Sequence, residues 1–240
     1  MSYFIIILLS VCALVGGFAV FVFKKNNNNS LKLILSFSGA YLFAITVLHL
    51  LPDVYTSDQT HLIGLFILGG FILQILLEQF SQGIEHGHIH THNHQTSFPW
   101  GIMLSLCLHA FLEGMPLTAK HNQQLVYGIA IHHIPAAFAL GSVLLGNHIK
   151  KQSVAMLLVV FAAMSPLGYM FSFALSNGDI QSFGSYYPYI MGLVIGIFLH
   201  ISTTILFESS VDHKFSVKKT IAVLLGMSIA LVGFFMEAGH

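Results

Sequence analysis

Hydrophobic and polar positions divide this chain into long apolar runs separated by short polar connections. Eight runs approach the roughly 20 residues that a spanning helix requires. They cover 3–23, 31–52, 61–80, 100–119, 124–146, 152–175, 187–207 and 217–237. The pattern predicts an all-α integral membrane protein of eight transmembrane helices, lying in a lipid bilayer as a single domain over 1–240. The first run does not read as a signal peptide. It is too long, no basic residue precedes it, and its lysines follow it.

Composition fits this reading: 55% of residues are hydrophobic and 8% charged, with a mean hydropathy of +0.80, far above a soluble domain. A formal net charge of zero argues against nucleic-acid or acidic partners. Cys12 and Cys107 both sit in apolar runs and read as small buried hydrophobes. The basic residues are nine lysines, with no arginine. Lys24, Lys25 and Lys32 flank the first connection, Lys150 and Lys151 the fifth, and Lys214, Lys218 and Lys219 the seventh; Lys120 alone falls in the fourth. By the positive-inside rule the odd connections are cytoplasmic and both termini extracytoplasmic. The lack of a targeting segment and the Asn- and Lys-rich loops suit a bacterial inner membrane.

The third connection, 84–97, is then also cytoplasmic. It carries His86, His88, His90, His92 and His94 in strict alternation, a pattern suited to loose metal chelation by neutral imidazoles. A solvated linker is the plain alternative.

The costliest residues lie inside the runs. His109 and Glu113 are four apart in the fourth, hence on one helix face, and His132, His133 and Pro135 follow in the fifth. A charge at mid-bilayer costs about 2.5–3.5 kcal/mol on insertion scales, which marks Glu113 as a functional candidate. A rise of 1.5 Å per residue puts Glu113 roughly 9 Å, His132 roughly 12 Å, His133 roughly 14 Å and His109 roughly 15 Å below the outer surface. A short connection makes the two helices antiparallel neighbours, so the four side chains can meet. Imidazole nitrogens with one carboxylate suit Zn²⁺ and other first-row divalent metals. The alternative is a dry contact in which Glu113 pairs with one histidine.

His200, roughly 20 Å down the seventh run, is a further metal candidate or a hydrogen-bond partner of Thr203. His49 and Asp53, again four apart, form a candidate cation entrance, and Glu78 and Glu208 a candidate exit. Gly16, Gly17, Gly69, Gly70, Gly192 and Gly196 predict close helix contacts. Phe98, Trp100, Tyr186, Tyr187 and Tyr189 predict interfacial anchors.

His-Ala-Phe-Leu-Glu-Gly at 109–114 and His-His-Ile-Pro-Ala-Ala at 132–137 resemble the fourth- and fifth-helix signatures of the ZIP zinc transporters. Leu48–Asp53 (Leu-His-Leu-Leu-Pro-Asp) is similar to that family's second-helix ending, and Ser165-Pro166-Leu167-Gly168 fits its sixth helix. The resemblance extends along essentially the whole chain. It implies a ZIP-like bundle that moves divalent metal toward the cytoplasm through a site between helices four and five. His109, Glu113 and His132 would be the primary ligands, with His133 at a second-site position. The resemblance further implies a homodimer, with helices one, four, five and six moving against two, three, seven and eight. Two positions depart from the family pattern: Ala110 and Ala136 stand where it usually carries polar donors, so a single metal is expected. Zn²⁺ is the expected cargo; the ligand types alone do not separate it from Fe²⁺, Mn²⁺ or Cd²⁺.

Two other classes remain open at this point. An intramembrane zinc hydrolase would use Glu113 as base, although no His-Glu-x-x-His occurs. A transport-impaired metal sensor would account for Ala110 and Ala136. No nucleotide-binding motif points to an ATP-driven pump.

Overall fold

In hydrocarbon an apolar stretch can satisfy its own backbone only as a helix or within a closed barrel. The computed structural model describes residues 2–23, 28–56, 59–81, 98–118, 123–177, 183–208 and 216–238, and the regular structure among them is helical. The helices are α1 (Ser2–Ala19), α2 (Asn28–Ile45), α3 (Thr60–Ser81), α4 (Trp100–Gly114), α5 (Gln123–Gly146), α6 (Lys151–Asn177), α7 (Phe183–Glu208) and α8 (Val217–Ala238). Two of them continue past their α-helical part. After Ile45, α2 passes through a π-turn (Thr46–Leu50) into a last turn, Leu51–Val54. A 3-10 turn (Met115–Thr118) extends α4.

Seven of these helices are long and apolar enough to cross a membrane. The first is apolar but shorter, because the chain tightens beyond Ala19. Val20, Phe21 and Val22 donate backbone bonds three residues back, to Gly17, Phe18 and Ala19.

Burial ranks the helices. In α5, 78% of the apolar stretch is buried, against 22% in α3 and 17% in α8, so α5 is central and the other two peripheral. Side chains such as Ile221, Leu225, Ile229 and Phe235 of α8 stand exposed, as lipid-facing residues do.

Glycines set which helices touch backbone to backbone. Gly16 lets α1 lie against Ile134 of α5, and Gly17 faces Leu158 of α6. Gly114 meets the backbone of Ser165, and Gly168 that of Phe111, joining α4 to α6 from both sides. Gly70 meets Leu193 and Gly196 meets Ile67, joining α3 to α7 in the same reciprocal way. Gly226 meets Phe37, joining α8 to α2, and Gly39 packs on Ile205 of α7. A Cβ at most of these positions would collide with backbone. Gly69 differs from the expectation: a Cβ there would meet nothing within 4 Å.

These contacts divide the bundle into α1, α4, α5 and α6 on one side and α2, α3, α7 and α8 on the other. The two groups meet where α2 faces α5 and α3 faces α4. At Gly128 of α5 the neighbours are side-chain atoms of Tyr41, Leu42 and Ile45, which are softer than backbone.

Candidate metal centre

Glu113 is fully buried and lies between two imidazoles. Its Oε1 is 3.1 Å from His109 Nε2, one turn earlier on α4. Its Oε2 is 2.9 Å from His133 Nε2 on α5. His132 and His133 are consecutive on α5 and both buried, and their ring centroids are 6.5 Å apart. Successive helical positions diverge around the axis, so the two imidazoles approach the carboxylate from different directions. The ring of His132 meets that of His109 edge-on, with centroids 6.2 Å apart.

Among the described residues, one group of three or more His, Cys, Asp or Glu has its ligand atoms mutually within 4.8 Å: His109, Glu113 and His132. Nitrogen and oxygen ligands at ~2.0–2.1 Å from Zn²⁺ stand about 3.4 Å apart in a tetrahedron. Small side-chain adjustments would therefore close the group on an ion. His133 holds the other oxygen of the same carboxylate.

The meeting of α4 and α5 is less direct than their adjacency in sequence suggests. The backbone of α4 packs on α6 and α3, and that of α5 on α1 and α2. The four polar side chains bridge the gap between the two helices. A dry contact of Glu113 with a single histidine is not what the fold presents, since both carboxylate oxygens face imidazole nitrogens.

A residue not anticipated from the sequence completes the cluster. Gln74 of α3 is fully buried, and its Oε1 lies 3.2 Å from Nδ1 of His109. An isolated glutamine in an apolar run carries no periodic signal. Only its cost in hydrocarbon could have singled it out.

The remaining candidates lie elsewhere. His200 pairs through Nε2 with Oε2 of Glu78, joining α7 to α3, and its ring stands edge-on to Phe71. The Thr203 hydroxyl bonds to the backbone carbonyls of Leu199 and His200. His49 sits in the π-turn of α2 with its ring 5.3 Å from that of Phe234, while Asp53 is exposed. Neither joins the three-ligand group. Ala110 and Ala136 are both buried. The five histidines His86, His88, His90, His92 and His94 lie outside the described residues, as do Lys24, Lys25, Lys120, Lys214 and the side chain of Glu208.

Comparison with known proteins reaches the same family as the signatures do. The family profile of the ZIP zinc transporters matches residues 85–233. "Zinc transporter ZIP1" of Danio rerio is 27% identical over 60% of this chain and 49% of its own length. The protein of the same name from Mus musculus is 24% identical over 92% of this chain and 83% of its own. "Zinc transporter ZIP9" of Micropogonias undulatus is 27% identical over 62% of this chain and 52% of its own. The chain thus spans about half the length of two of these relatives. These are transporters, which sets the hydrolase reading aside. With membrane-length helices and a family profile covering most of the chain, this integral membrane protein belongs to the ZIP zinc transporter family.

Proposed function

We propose that the chain moves divalent metal, with Zn²⁺ as its main cargo, toward the cytoplasm through a site between α4 and α5. The observation that carries this reading is the buried group of His109, Glu113 and His132, with His133 on the second carboxylate oxygen. A carboxylate and three imidazoles at bilayer depth are costly to keep without a cation to bind. The lysine asymmetry supports cytoplasmic odd connections and eight crossings, with α1 completing the count. His49 and Asp53 lie at the extracytoplasmic end on this orientation, where they would draw cations in. The Glu78–His200 pair, one turn beyond Gln74 on α3, would receive the metal on its way out.

Alternating access then takes the form of α1, α4, α5 and α6 moving against α2, α3, α7 and α8. The packing supports this division, because the closest contacts of glycine with a neighbouring helix's backbone, at Gly16, Gly70, Gly114, Gly168, Gly196 and Gly226, run within each group. The outer apolar faces of the second group would carry lipid or a second copy of the chain. The loop composition favours a bacterial inner membrane, while the named relatives come from animals.

Uptake of Zn²⁺ and Cd²⁺ into proteoliposomes tests the reading. Saturable uptake is expected in the wild type and at least a tenfold loss in both His109→Ala and Glu113→Ala. Undiminished uptake in Glu113→Ala would sink the proposed site. Tight metal binding without uptake in the wild type would favour the sensor reading, for which the buried Ala110 and Ala136 supply a reason.

A further inference from the structure

Gln74 is the feature that the transport reading leaves unused. It is fully buried on α3, a helix with little other burial. A buried amide without a bonding partner is costly in hydrocarbon, so one kept there calls for a reason. Its carbonyl oxygen can only accept, so at 3.2 Å the imidazole of His109 donates from Nδ1. A neutral ring that donates from Nδ1 has its lone pair on Nε2, and Nε2 is the nitrogen turned toward Glu113.

The bond also crosses between the two helix groups. Gln74 rides on α3, locked to α7 through Gly70 and Gly196. His109 rides on α4, locked to α6 through Gly114 and Gly168. A second polar tie crosses at the same place: Ser105 of α4 donates to the carbonyl of Leu77, at 2.6 Å.

We propose that Gln74 is a positioning residue for the metal site. It fixes the ring orientation and tautomer of His109 so that Nε2 is the ligating nitrogen, and it does so only while α3 and α4 lie together as they do here. The inference rests on the transport reading and deepens it. Sliding of one group past the other separates Gln74 from His109 and loosens the site's hold on its cargo. Metal affinity is thereby tied to the position of the moving helices without any change in the ligand set.

The test combines metal binding to purified protein in lipid nanodiscs with uptake kinetics, using Co²⁺ as a spectroscopic probe beside Zn²⁺. Removing a partner of a ligating histidine typically weakens metal binding about 10–100-fold. Gln74→Leu and Gln74→Met, both compatible with a membrane helix, should each weaken Co²⁺ and Zn²⁺ binding by about that factor. They should raise the uptake KM in parallel and leave the maximal rate nearly unchanged. Gln74→Glu keeps an oxygen that accepts the Nδ1 proton and should restore binding. Wild-type affinity in both apolar variants would overturn the proposal. So would an equal loss in Gln74→Glu, because the residue would then matter only for packing. His109→Ala, measured alongside, separates the two levels of the argument. Unchanged metal binding in that variant would overturn the metal-site reading itself, and this proposal with it.

Discussion

Glu113 holds two histidines at once, and this decides how their roles divide. His109 and His132 supply nitrogens to the three-ligand group, whereas His133 sits against the far oxygen of the carboxylate. In the proposed site His133 would orient the carboxylate and need not touch the ion. Replacing it should cost affinity on the scale of an outer partner, about 10–100-fold, and His132→Ala should cost more. Isothermal titration of Zn²⁺ into both variants checks the order; the reverse order would make His133 a direct ligand. The carboxylate and its histidines were legible in the sequence because a charge four residues from a histidine stands out in an apolar run. Gln74 was not legible. Its meaning depends on α3 lying beside α4, a tertiary fact that spacing within one helix does not contain.

The helices themselves were the most legible level. Apolar runs of membrane length predicted eight helices, and eight are present among the described residues. What the apolar pattern missed lies at their ends and in their contacts. The π-turn at Thr46–Leu50 leaves no mark in hydropathy, and it places His49 against Phe234. The tightening after Ala19 likewise occurs in residues as apolar as those before it. Paired glycines mark contact surfaces, but the sequence does not say which member of a pair faces the neighbour. Gly70 meets the backbone of Leu193 while its neighbour Gly69 meets open space. Gly70→Ala should therefore destabilise the α3–α7 pair by about 1–3 kcal/mol, the usual range for overpacking. Gly69→Ala should be neutral or slightly stabilising, since alanine is the better helix former. Thermal unfolding in detergent distinguishes the two, and equal shifts would contradict the packing described.

At the scale of the whole molecule, the closest glycine-to-backbone contacts lie within two groups of helices, and the side chains of the proposed metal site belong to only one of them. All four side chains of the proposed site would travel together, with a cargo whose charge they only partly neutralise. Two positive charges on the ion against one carboxylate leave the loaded site at net +1, because neutral imidazoles contribute none. An inside-negative membrane potential should then drive the inward step electrically, by up to about 2.3 kcal/mol per 100 mV if the charge crosses the whole field. Uptake into vesicles should quicken when such a potential is imposed with a potassium gradient and valinomycin. A carboxylate added by Ala136→Glu, one turn from His132 on α5, should bring the loaded site to neutrality and move the voltage dependence from the loaded inward step to the return of the empty site, with the charge carried per metal unchanged. With alanine at position 136, the loaded inward step of the proposed cycle would itself carry charge, so membrane voltage would act directly on that step.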